Sequence, residues 1–382
     1  MVPQRMTSLT FQNADPITAG HCRILAEAGQ CMEGSVERAI QMVHDAASAG
    51  AWGIKTQLLN PETIATASAA KYWDDDLDTT TQREAFTAAG LIDYDRWQPV
   101  RDAAKLRRIA FVATPFDLDA VNALEAINVD AYKIASGDLL YLPLLDAVCD
   151  TKRPIFLSTG AAWRDEIETV LEYLLARDPA IRYRLVLLGC SLVYPTPQRD
   201  ANVGRVVALK ELIAERGWSP MRVGYSDHTT STWTARDAAA AGALIVEKHY
   251  TYKNAVGPVA DHGMAVDPDD LQLVVNAARR GASSYGDSSL VPTDAEERAR
   301  QGARRGMWLA RNVFAGDIVQ LDDAVPLRPC PTGAMPPDVW FTSAGSAVWR
   351  ESRNVGEVVG QSDLGFLVPR GDGLGGSFPR WA

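Results

Sequence analysis

The chain has 382 residues, of which 47% are hydrophobic and 23% are charged, as in an ordinary folded globular protein. Its formal net charge is -10 and its Lys and Arg residues form no dense run, which argues against a nucleic-acid-binding surface because phosphate backbones need a basic stripe. Five widely spaced cysteines with no C-x-x-C pair argue against a disulfide framework or a zinc knuckle.

The length exceeds what one hydrophobic core usually organises, so we expect one large domain and one small one. The N-terminal run MVPQRMTSLTFQNADP has no continuous apolar stretch of the kind found in secretory signals. No run of about 18 apolar residues occurs that could span a membrane. These features predict a cytoplasmic protein.

Short apolar runs bounded by turn signals recur along most of the chain and predict eight β-strands. Helical patterns lie between most of these runs. The first helical pattern begins after Gly34, with Ser35 as its N-cap and Glu37 in its first turn. The strand runs, in chain order, are CRILAEAG (22–29), WGIKTQL (52–58), AFVATPF (110–116), AYKIAS (131–136), PIFLSTG (154–160), LVLLGCS (185–191), RVGYSD (222–227) and ALIVEKHY (243–250).

Strand and helix alternating eight times predict an α/β fold, a parallel sheet closed into an (α/β)8 TIM barrel over residues 1–284. A doubly wound open sheet is the structural alternative. It would leave edge strands and would more naturally carry a Gly-rich turn after its first strand. No G-x-G-x-x-G follows a strand in this sequence, which favours the barrel.

The C-terminal part differs in character from the barrel. Residues 285–305 are polar and charged and predict a linker that contains a short helix. Residues 306–366 hold short β-like pieces separated by Gly, Pro and Asp turns, which predict a small β-rich module. Residues 367–382 form a Gly-rich tail that we expect to be disordered.

Nearly every predicted strand is apolar in its body and closes with polar or charged residues. In parallel α/β folds the carboxyl ends of the strands face one common mouth, where active sites lie. One such residue alone would be an ordinary solvated side chain, but the joint pattern predicts a site. The residues concerned are Glu27, Lys55, Gln57, Thr114, Lys133, Ser136, Ser158, Thr159, Ser226 to His228 and Glu247 to His249.

Two of the five histidines, His228 and His249, close strands 7 and 8. Neighbouring strands of a closed barrel would place their imidazoles close together. Two imidazoles without a nearby cysteine suit a divalent metal with positions open to water or substrate. A pair of hydrogen-bonded histidines at the barrel rim is the equally open alternative.

Lys55 and Lys133, with the hydroxyls of Ser136, Ser158 and Ser226, suggest a cradle for a phosphate and a carboxylate, because lysine supplies charge and serine supplies short hydrogen bonds. Lys133 could instead form a structural ion pair with Asp138 or Glu247. Glu27 and Asp138 are candidates for positioning water or moving protons, unless they too are structural partners.

The ordered motifs of the chain resemble those of the sialic acid synthase family. They run from residue 20 to residue 285, and the later run RRGMWLARNVFAGDIV with LRPCPTGAMPPD resembles the family's antifreeze-like SAF domain. The resemblance implies an enzyme that condenses phosphoenolpyruvate with an N-acylated hexosamine to form a nonulosonic acid. The motifs are TPFD (114–117), KIASGD (133–138), PIFLSTG (154–160), CSLVYPTP (190–197), GYSDHT (224–229), EKHYT (247–251) and GPVADHGMAVDP (257–268).

The resemblance also implies roles for single residues. His228 and His249 would hold a divalent cation, commonly manganese with magnesium or cobalt as alternatives, and would act in catalysis with Glu27 and Asp138. The cation would bind the aldehyde oxygen of the sugar, and Glu27 would lie beside the sugar and the attacking water. Phosphoenolpyruvate would contact Lys55, Gln57, Thr114, Lys133, Ser136, Ser158 and Ser226, and the sugar would contact Tyr194, Asp261, His262 and Arg328.

The family works as a domain-swapped homodimer, which implies that Arg328 would reach the sugar bound by the partner chain. The sequence departs from the family pattern at the Asn-His pair, replaced by Cys31 and Met32, and at Leu192, where Ser or Asn is usual. Thr56 occupies a position at which the family usually has Phe, and Asp138 occupies one at which it usually has Glu. We therefore expect an acceptor other than N-acetylmannosamine.

Two other functions remain compatible with the residues. One is an aldolase or lyase that uses pyruvate through a Schiff base on Lys133. The other is a degenerate synthase that binds a sugar or sugar acid without turnover, as the changes at Cys31, Met32 and Leu192 would permit. The intact SDHT and EKHYT runs favour the synthase, because a mere binding protein need not keep both histidines.

Overall fold

Parallel strands close into a barrel in the first part of this computed structural model, which describes residues 9–18, 20–73, 78–257, 259–286 and 290–366. The chain divides into two compact units, Met1–Ser288 and Ser289–Ala382. The division falls within the segment 285–305 that the sequence predicts as a linker. No helix in the described ranges is long and apolar enough to cross a membrane.

The barrel strands follow one another around the barrel in chain order, and the first strand pairs with the eighth. The predicted α/β barrel is confirmed and the open-sheet alternative is wrong, because this last pairing leaves no sheet edge. The strands are β1 (Arg23–Gly29), β2 (Gly53–Leu58), β3 (Ala110–Pro115), β4 (Ala131–Ile134), β5 (Ile155–Ser158), β6 (Leu185–Cys190), β7 (Arg222–Asp227) and β8 (Ile245–His249).

Each strand is buried on both faces, because the pleat sends alternate side chains into the barrel and out against the helices. In β1, Leu25 belongs to the apolar cluster inside the barrel, whereas Ala26 and Ala28 belong to the larger cluster under the helices. The Glu27 side chain points into the barrel, as that of Leu25 does, and lies two residues nearer the carboxyl end of β1. The interior is therefore apolar at one end and polar at the other.

Helices surround the barrel in the predicted alternation. Ser35 caps the first of them as predicted, since its Oγ accepts a hydrogen bond from the Arg38 amide at 3.1 Å. The helices are α1 (Val36–Ser48), α2 (Pro61–Ile64), α3 (Gln82–Ala88), α4 (Gln98–Arg107), α5 (Leu118–Ala126), α6 (Leu142–Asp150), α7 (Arg164–Arg177), α8 (Arg205–Glu215), α9 (Thr234–Ala240) and α10 (Pro268–Tyr285).

The amino-terminal end of the barrel is plugged by the segment that precedes β1. Leu9 and Ile17 exchange backbone hydrogen bonds of 3.1 and 2.9 Å, and both side chains are buried in the apolar interior cluster. The Phe11 ring lies 4.7 Å from Trp52 and 6.4 Å from Phe156, measured between centroids. This segment fills the apolar end of the barrel, and the polar residues border the cavity at the opposite mouth.

The second unit has two antiparallel strand pairs around its own apolar cluster, which includes Trp340 and Trp349. Buried Asp323 ties this unit together, accepting hydrogen bonds from the Trp349 indole at 2.9 Å and from Arg311 at 2.7 Å. Residues 367–382, predicted to be a disordered tail, lie outside the described residues. The elements are α11 (Asp294–Ala303), β9 (Gly306–Leu309), β10 (Ala324–Leu327), α12 (Pro337–Ser343), β11 (Ala347–Trp349) and β12 (Leu364–Phe366).

Candidate active site

A cavity of about 660 Å3 opens at the carboxyl ends of the barrel strands. Its size is in the usual range for small-molecule sites, and its position is where barrel enzymes carry their chemistry. All but two of the residues to which the family resemblance assigns a role line it, whereas Thr159, Asp227 and Lys248 from the polar strand ends do not. Those that line it are Glu27, Lys55, Gln57, Thr114, Lys133, Ser136, Asp138, Ser158, Tyr194, Ser226, His228, His249 and Asp261.

The floor of the cavity is a chain of alternating charges. The Lys55 Nζ lies 3.0 Å from Glu27 Oε1 and 3.4 Å from Glu247 Oε1, and the Lys133 Nζ lies 3.8 Å from Glu247 Oε2. Each of these side chains is at most 5% exposed. Strand register produces the arrangement, because Glu27 pairs with Lys55 across β1–β2 and with His249 across β1–β8.

The two carboxylates of the floor differ in their proton affinity. Burial raises the pKa of Glu27 to about 7, against the opposing effect of Lys55. Burial also disfavours the Glu247 carboxylate, but Lys133 and Lys55 together lower the pKa of Glu247 to about 2. At neutral pH Glu247 therefore carries a negative charge, whereas Glu27 can gain or lose a proton.

The lysines of the floor differ as well. Burial lowers the pKa of Lys133, even though Glu247 lies nearby. Burial acts in the same direction on Lys55, but Glu247 and Glu27 outweigh it and raise the pKa of that amine. Glu247 thus neutralises part of both positive charges in the absence of another anion.

Hydroxyl groups lie around the two lysines. The buried Thr114 Oγ1 and Ser158 Oγ have no hydrogen-bond partner among the described residues. Ser136 Oγ accepts a hydrogen bond from the Gly160 amide at 3.0 Å and lies beside the Cys190 thiol. Ser226 donates to Glu247 Oε1 at 3.1 Å. Buried polar atoms without partners are rare in native proteins, and here they point to a ligand rich in acceptors.

The two histidines meet at the cavity wall, with ring centroids 5.3 Å apart. The carbonyl of Ser191 lies 2.6 Å from His228 Nδ1, so this nitrogen carries a proton. Burial disfavours the charged ring of His228, but Cys190 and the Ser191 carbonyl outweigh it and raise the pKa of His228, so a cation would compete with a proton for Nε2. Burial, with the nearby positive charges of His228 and Lys55, holds the pKa of His249 well below its usual value. His249 Nδ1 is buried without a hydrogen-bond partner in the described part of the chain.

This donor set fits a divalent cation. Neutral imidazoles with exposed lone pairs are the form that binds metals. No cluster of three or more His, Cys, Asp or Glu side chains with metal-site geometry occurs among the described residues. The described part of the site thus offers two imidazoles, with the Asp261 carboxylate 3.6 Å from one of them.

Asp261 and His262 are adjacent in the sequence but lie on different sides of the loop after β8. The Asp261 carboxylate enters the cavity, 3.6 Å from His249 Nδ1. His262, expected to contact the sugar, does not line the cavity. Its Nδ1 lies 2.8 Å from Thr251 Oγ1 and its Nε2 lies 3.2 Å from Glu33 Oε1, so it anchors this loop to the β1–α1 loop.

Asp138 and Arg328 complete the predicted residues. Asp138 lines the cavity in a short 3-10 turn after β4, and burial raises its pKa to about 6 against the opposing charge of Lys133. Arg328 follows β10 in the second unit, and its side chain is exposed. The role expected of Arg328 at the sugar stays a prediction.

The departures from the family pattern divide into two kinds. Leu192 lines the cavity, half-buried, where a polar residue is usual. Cys31 and Met32 are buried in the cluster beneath the helices and do not line the cavity. The change at this pair therefore replaces core packing, and our expectation of a direct effect on the acceptor is limited to Leu192.

Sequence reasoning missed two parts of the site. Glu247 was counted among the polar strand ends but was given no role beyond an ion pair with Lys133, although the pleat of EKH puts Glu247 and His249 on one face and would have indicated its place in the floor. The aromatic side chains Tyr72, Trp73 and Phe86 line the cavity from the long connection after β2. Nothing in their spacing indicates that this connection folds back over the barrel mouth.

In β7 and β8, the side chains of Asp227 and Lys248 point away from the barrel interior, opposite to the neighbouring site residues, and form a buried ion pair. Lys248 Nζ lies 2.9 Å from Asp227 Oδ2, and both side chains are fully buried. The same amine donates to the Thr229 carbonyl, and Asp227 Oδ1 accepts from the Thr229 amide at 2.9 Å. These bonds hold the turn that carries His228.

Comparison with known proteins agrees with this geometry. A profile of the NeuB family matches residues 42–289. An N,N'-diacetyllegionaminic acid synthase of Campylobacter jejuni is 30% identical over 80% of this chain and 90% of its own length. A protein of the same name from Legionella pneumophila is 30% identical over 83% of this chain and 88% of its own.

A solved structure extends the likeness to three dimensions. The N-acetylneuraminic acid (sialic acid) synthetase of Leptospira borgpetersenii serovar Hardjo-bovis matches with a TM-score of 0.66 and 29% identity, covering 77% of this chain and 95% of that one. The profile spans most of the barrel, and relatives at 30% identity span four fifths of the chain. The chain belongs to the NeuB family.

Proposed function

We propose that this protein condenses phosphoenolpyruvate with an N-acylhexosamine or a related aldose to form an ulosonic acid and phosphate. One observation carries the proposal. Two buried lysines share the cavity with unpartnered hydroxyls and with a pair of histidines whose ring centroids lie 5.3 Å apart. The names of the family relatives, synthases of nonulosonic acids, support the same reaction class.

Phosphoenolpyruvate would bind on the floor. Its phosphate and carboxylate would replace Glu247 as partners of Lys55 and Lys133, which now lie 3.4 and 3.8 Å from that carboxylate. Thr114, Ser136 and Ser158 would donate short hydrogen bonds to its oxygens. Charge-assisted bonds of this kind are worth about 1.5 to 3 kcal/mol each, after the cost of the water that the anion gives up on entry.

The acceptor would bind above phosphoenolpyruvate, beside His228 and His249. We propose that these two imidazoles hold a divalent cation, with manganese as first choice. When bound, the cation would act as a Lewis acid on the aldehyde of the acceptor. Asp261, 3.6 Å from His249 Nδ1, would orient that ring through its second nitrogen.

The reaction balances with one water molecule. Carbon 3 of phosphoenolpyruvate forms the new carbon–carbon bond with the aldehyde carbon, whose oxygen takes up a proton. Water then adds to carbon 2, and phosphate leaves with cleavage of its carbon–oxygen bond. Glu27, with a pKa of about 7, is suited to hold or release a proton at Oε2, the oxygen without a hydrogen-bond partner in the described chain.

Leu192 supports an acceptor other than N-acetylmannosamine. A leucine at the cavity wall cannot return the hydrogen bond that a serine or asparagine would give, so a polar group placed there would lose its partner. We also propose the swapped homodimer, with Arg328 reaching the partner's cavity. A stable, active monomer in light scattering would contradict that assembly.

The first experiment is phosphate release from phosphoenolpyruvate with manganese across a panel of N-acylhexosamines, other aldoses and 2,4-diacetamido sugars. We expect release that depends on an acceptor and stops with a chelator or in His249→Ala. In 18O-labelled water the label should enter the sugar acid and not the phosphate. Release without an acceptor, or label in the phosphate, would contradict the proposal.

The lowered pKa of Lys133 gives a Schiff-base aldolase its one point of support, because a neutral amine is needed to attack a carbonyl. Glu247 beside this amine opposes that chemistry by favouring the ammonium form. Borohydride in the presence of pyruvate would trap an adduct on Lys133 in an aldolase. We expect no adduct, and turnover that the chelator abolishes.

A further inference from the structure

The connection between β2 and β3 supplies one whole side of the cavity. Helices α2, α3 and α4 lie in this connection, and residues of α2, of α3 and at 72–73 are among its described residues that line the cavity. Connections of this length are commonly functional. We call the side chains it contributes the apolar wall, which comprises Leu59, Ile64, Tyr72, Trp73, Ala85, Phe86 and Ala89.

The rings of the wall form a continuous series that ends at the histidine pair. Phe86 lies 5.7 Å from Trp73, and Trp73 lies 4.9 Å from Tyr72, measured between ring centroids. Tyr72 lies 6.2 Å from Tyr194, whose ring is 4.2 Å from that of His228. The wall therefore begins beside the aldehyde position of the proposed function and leads away from it.

Backbone and side-chain hydrogen bonds hold the described part of the apolar wall in place. Ala70 and Thr81 form an antiparallel bridge, and Thr81 and Glu84 complete a capping box at the start of α3. The Gln82 Nε2 donates to the Ala70 carbonyl at 2.9 Å, which leaves the Gln82 side-chain oxygen as an acceptor at the cavity edge.

Building on the proposed function, we propose that the apolar wall receives the acyl chain of an N-acylated acceptor, and that it prefers chains longer than acetyl. The Gln82 oxygen accepts the hydrogen bond of the acylamino N–H, and the chain then lies against Ile64, Trp73 and Phe86. Two features of the described part of the wall support this occupant: apolar side chains half-exposed to a polar cavity, and the side-chain amide of Gln82 at their edge.

The size of the effect follows from the burial of methylene groups. Each buried CH2 contributes about 0.8 kcal/mol, which corresponds to about a fourfold gain in affinity. Extending the acyl chain from acetyl to propanoyl to butanoyl should therefore raise kcat/KM by about threefold to fourfold per step. The KM for phosphoenolpyruvate should stay constant, because the floor is a separate part of the cavity.

The test uses N-acetyl-, N-propanoyl- and N-butanoyl-mannosamine and the matching glucosamines with the full-length protein. Phosphate release gives kcat/KM, and calorimetry with phosphoenolpyruvate and manganese present gives the affinity of each compound. We expect both to rise with chain length. In Phe86→Ala, and separately in Ile64→Ala on α2, the rise should fall to less than twofold per step while the KM for phosphoenolpyruvate is unchanged.

Leu106→Ala on α4 is the matched control, since this leucine is 76% exposed and outside the cavity. Affinity that is flat or falls with chain length in the native protein would overturn the proposal, as would a rise that both wall variants retain. Calorimetry separates the two proposals: binding that rises with chain length without phosphate release supports the wall and refutes the synthase. Absence of binding by every compound overturns the wall.

Discussion

Replacing Glu27 with glutamine should make the protein more stable at alkaline pH. The buried carboxyl has its pKa raised from its ordinary value of 4.5 to about 7, which means that burial costs the ionised form about 3 kcal/mol relative to the protonated form. The pKa of Glu27 is higher in the folded protein than in the unfolded chain. The free energy of unfolding that the protein has with Glu27 protonated is therefore complete below about pH 4.5 and is partly lost as the pH rises through 7. Glutamine has the same shape and never ionises.

The stability of Glu27→Gln relative to the native protein should therefore grow by about 2 to 3 kcal/mol between pH 5 and pH 8. Urea unfolding followed by circular dichroism at both values measures it, and the change with pH is independent of any constant effect of the substitution. Glu211→Gln on α8, an exposed position, is the control and should show no such growth. A Glu27→Gln difference equal at the two pH values would refute the electrostatic reasoning.

Three other substitutions separate the roles assigned to the structure. Lys133→Met should raise the KM for phosphoenolpyruvate about tenfold to a hundredfold, because a charge-assisted bond to the substrate is lost. Lys152→Met, at an exposed position, should leave this KM unchanged. Equal KM values for the two variants would contradict the role of Lys133 in binding phosphoenolpyruvate. Lys248→Met should cost about 3 to 5 kcal/mol in urea unfolding by leaving Asp227 buried and unpaired, and Asp227→Asn in the same chain should recover part of that loss. Ser35→Ala should cost about 1 kcal/mol as a lost N-cap, and an unchanged urea midpoint would count against the cap.

The barrel and its polar floor could be predicted because strand periodicity and residue polarity are local signals. Glu27, Lys55 and Lys133 each end an apolar run, and parallel strands must bring such ends together. His228 and His249 were predicted on the same ground and lie at the same mouth.

The remainder depends on contacts distant in sequence. Cys31 and Met32 occupy positions at which the family resemblance suggests the active site, yet they are buried in the core. Tyr72 and Trp73 are ordinary surface residues by sequence, and only the path of the connection after β2 makes them part of the cavity. The direction in which a loop folds back is set by tertiary packing, and local propensity carries no information about it.

The N-terminal plug has a consequence for how the chain acquires its structure. Leu9 and Ile17 are made before the barrel strands, but they pack against interior side chains that include Phe156 and Ile245, which belong to the fifth and eighth strands. On the ribosome the plug must stay undocked until nearly the whole barrel has been synthesised. Contacts of such sequence separation form late and slow the final step of folding, during which the apolar end of the barrel stays exposed to aggregation.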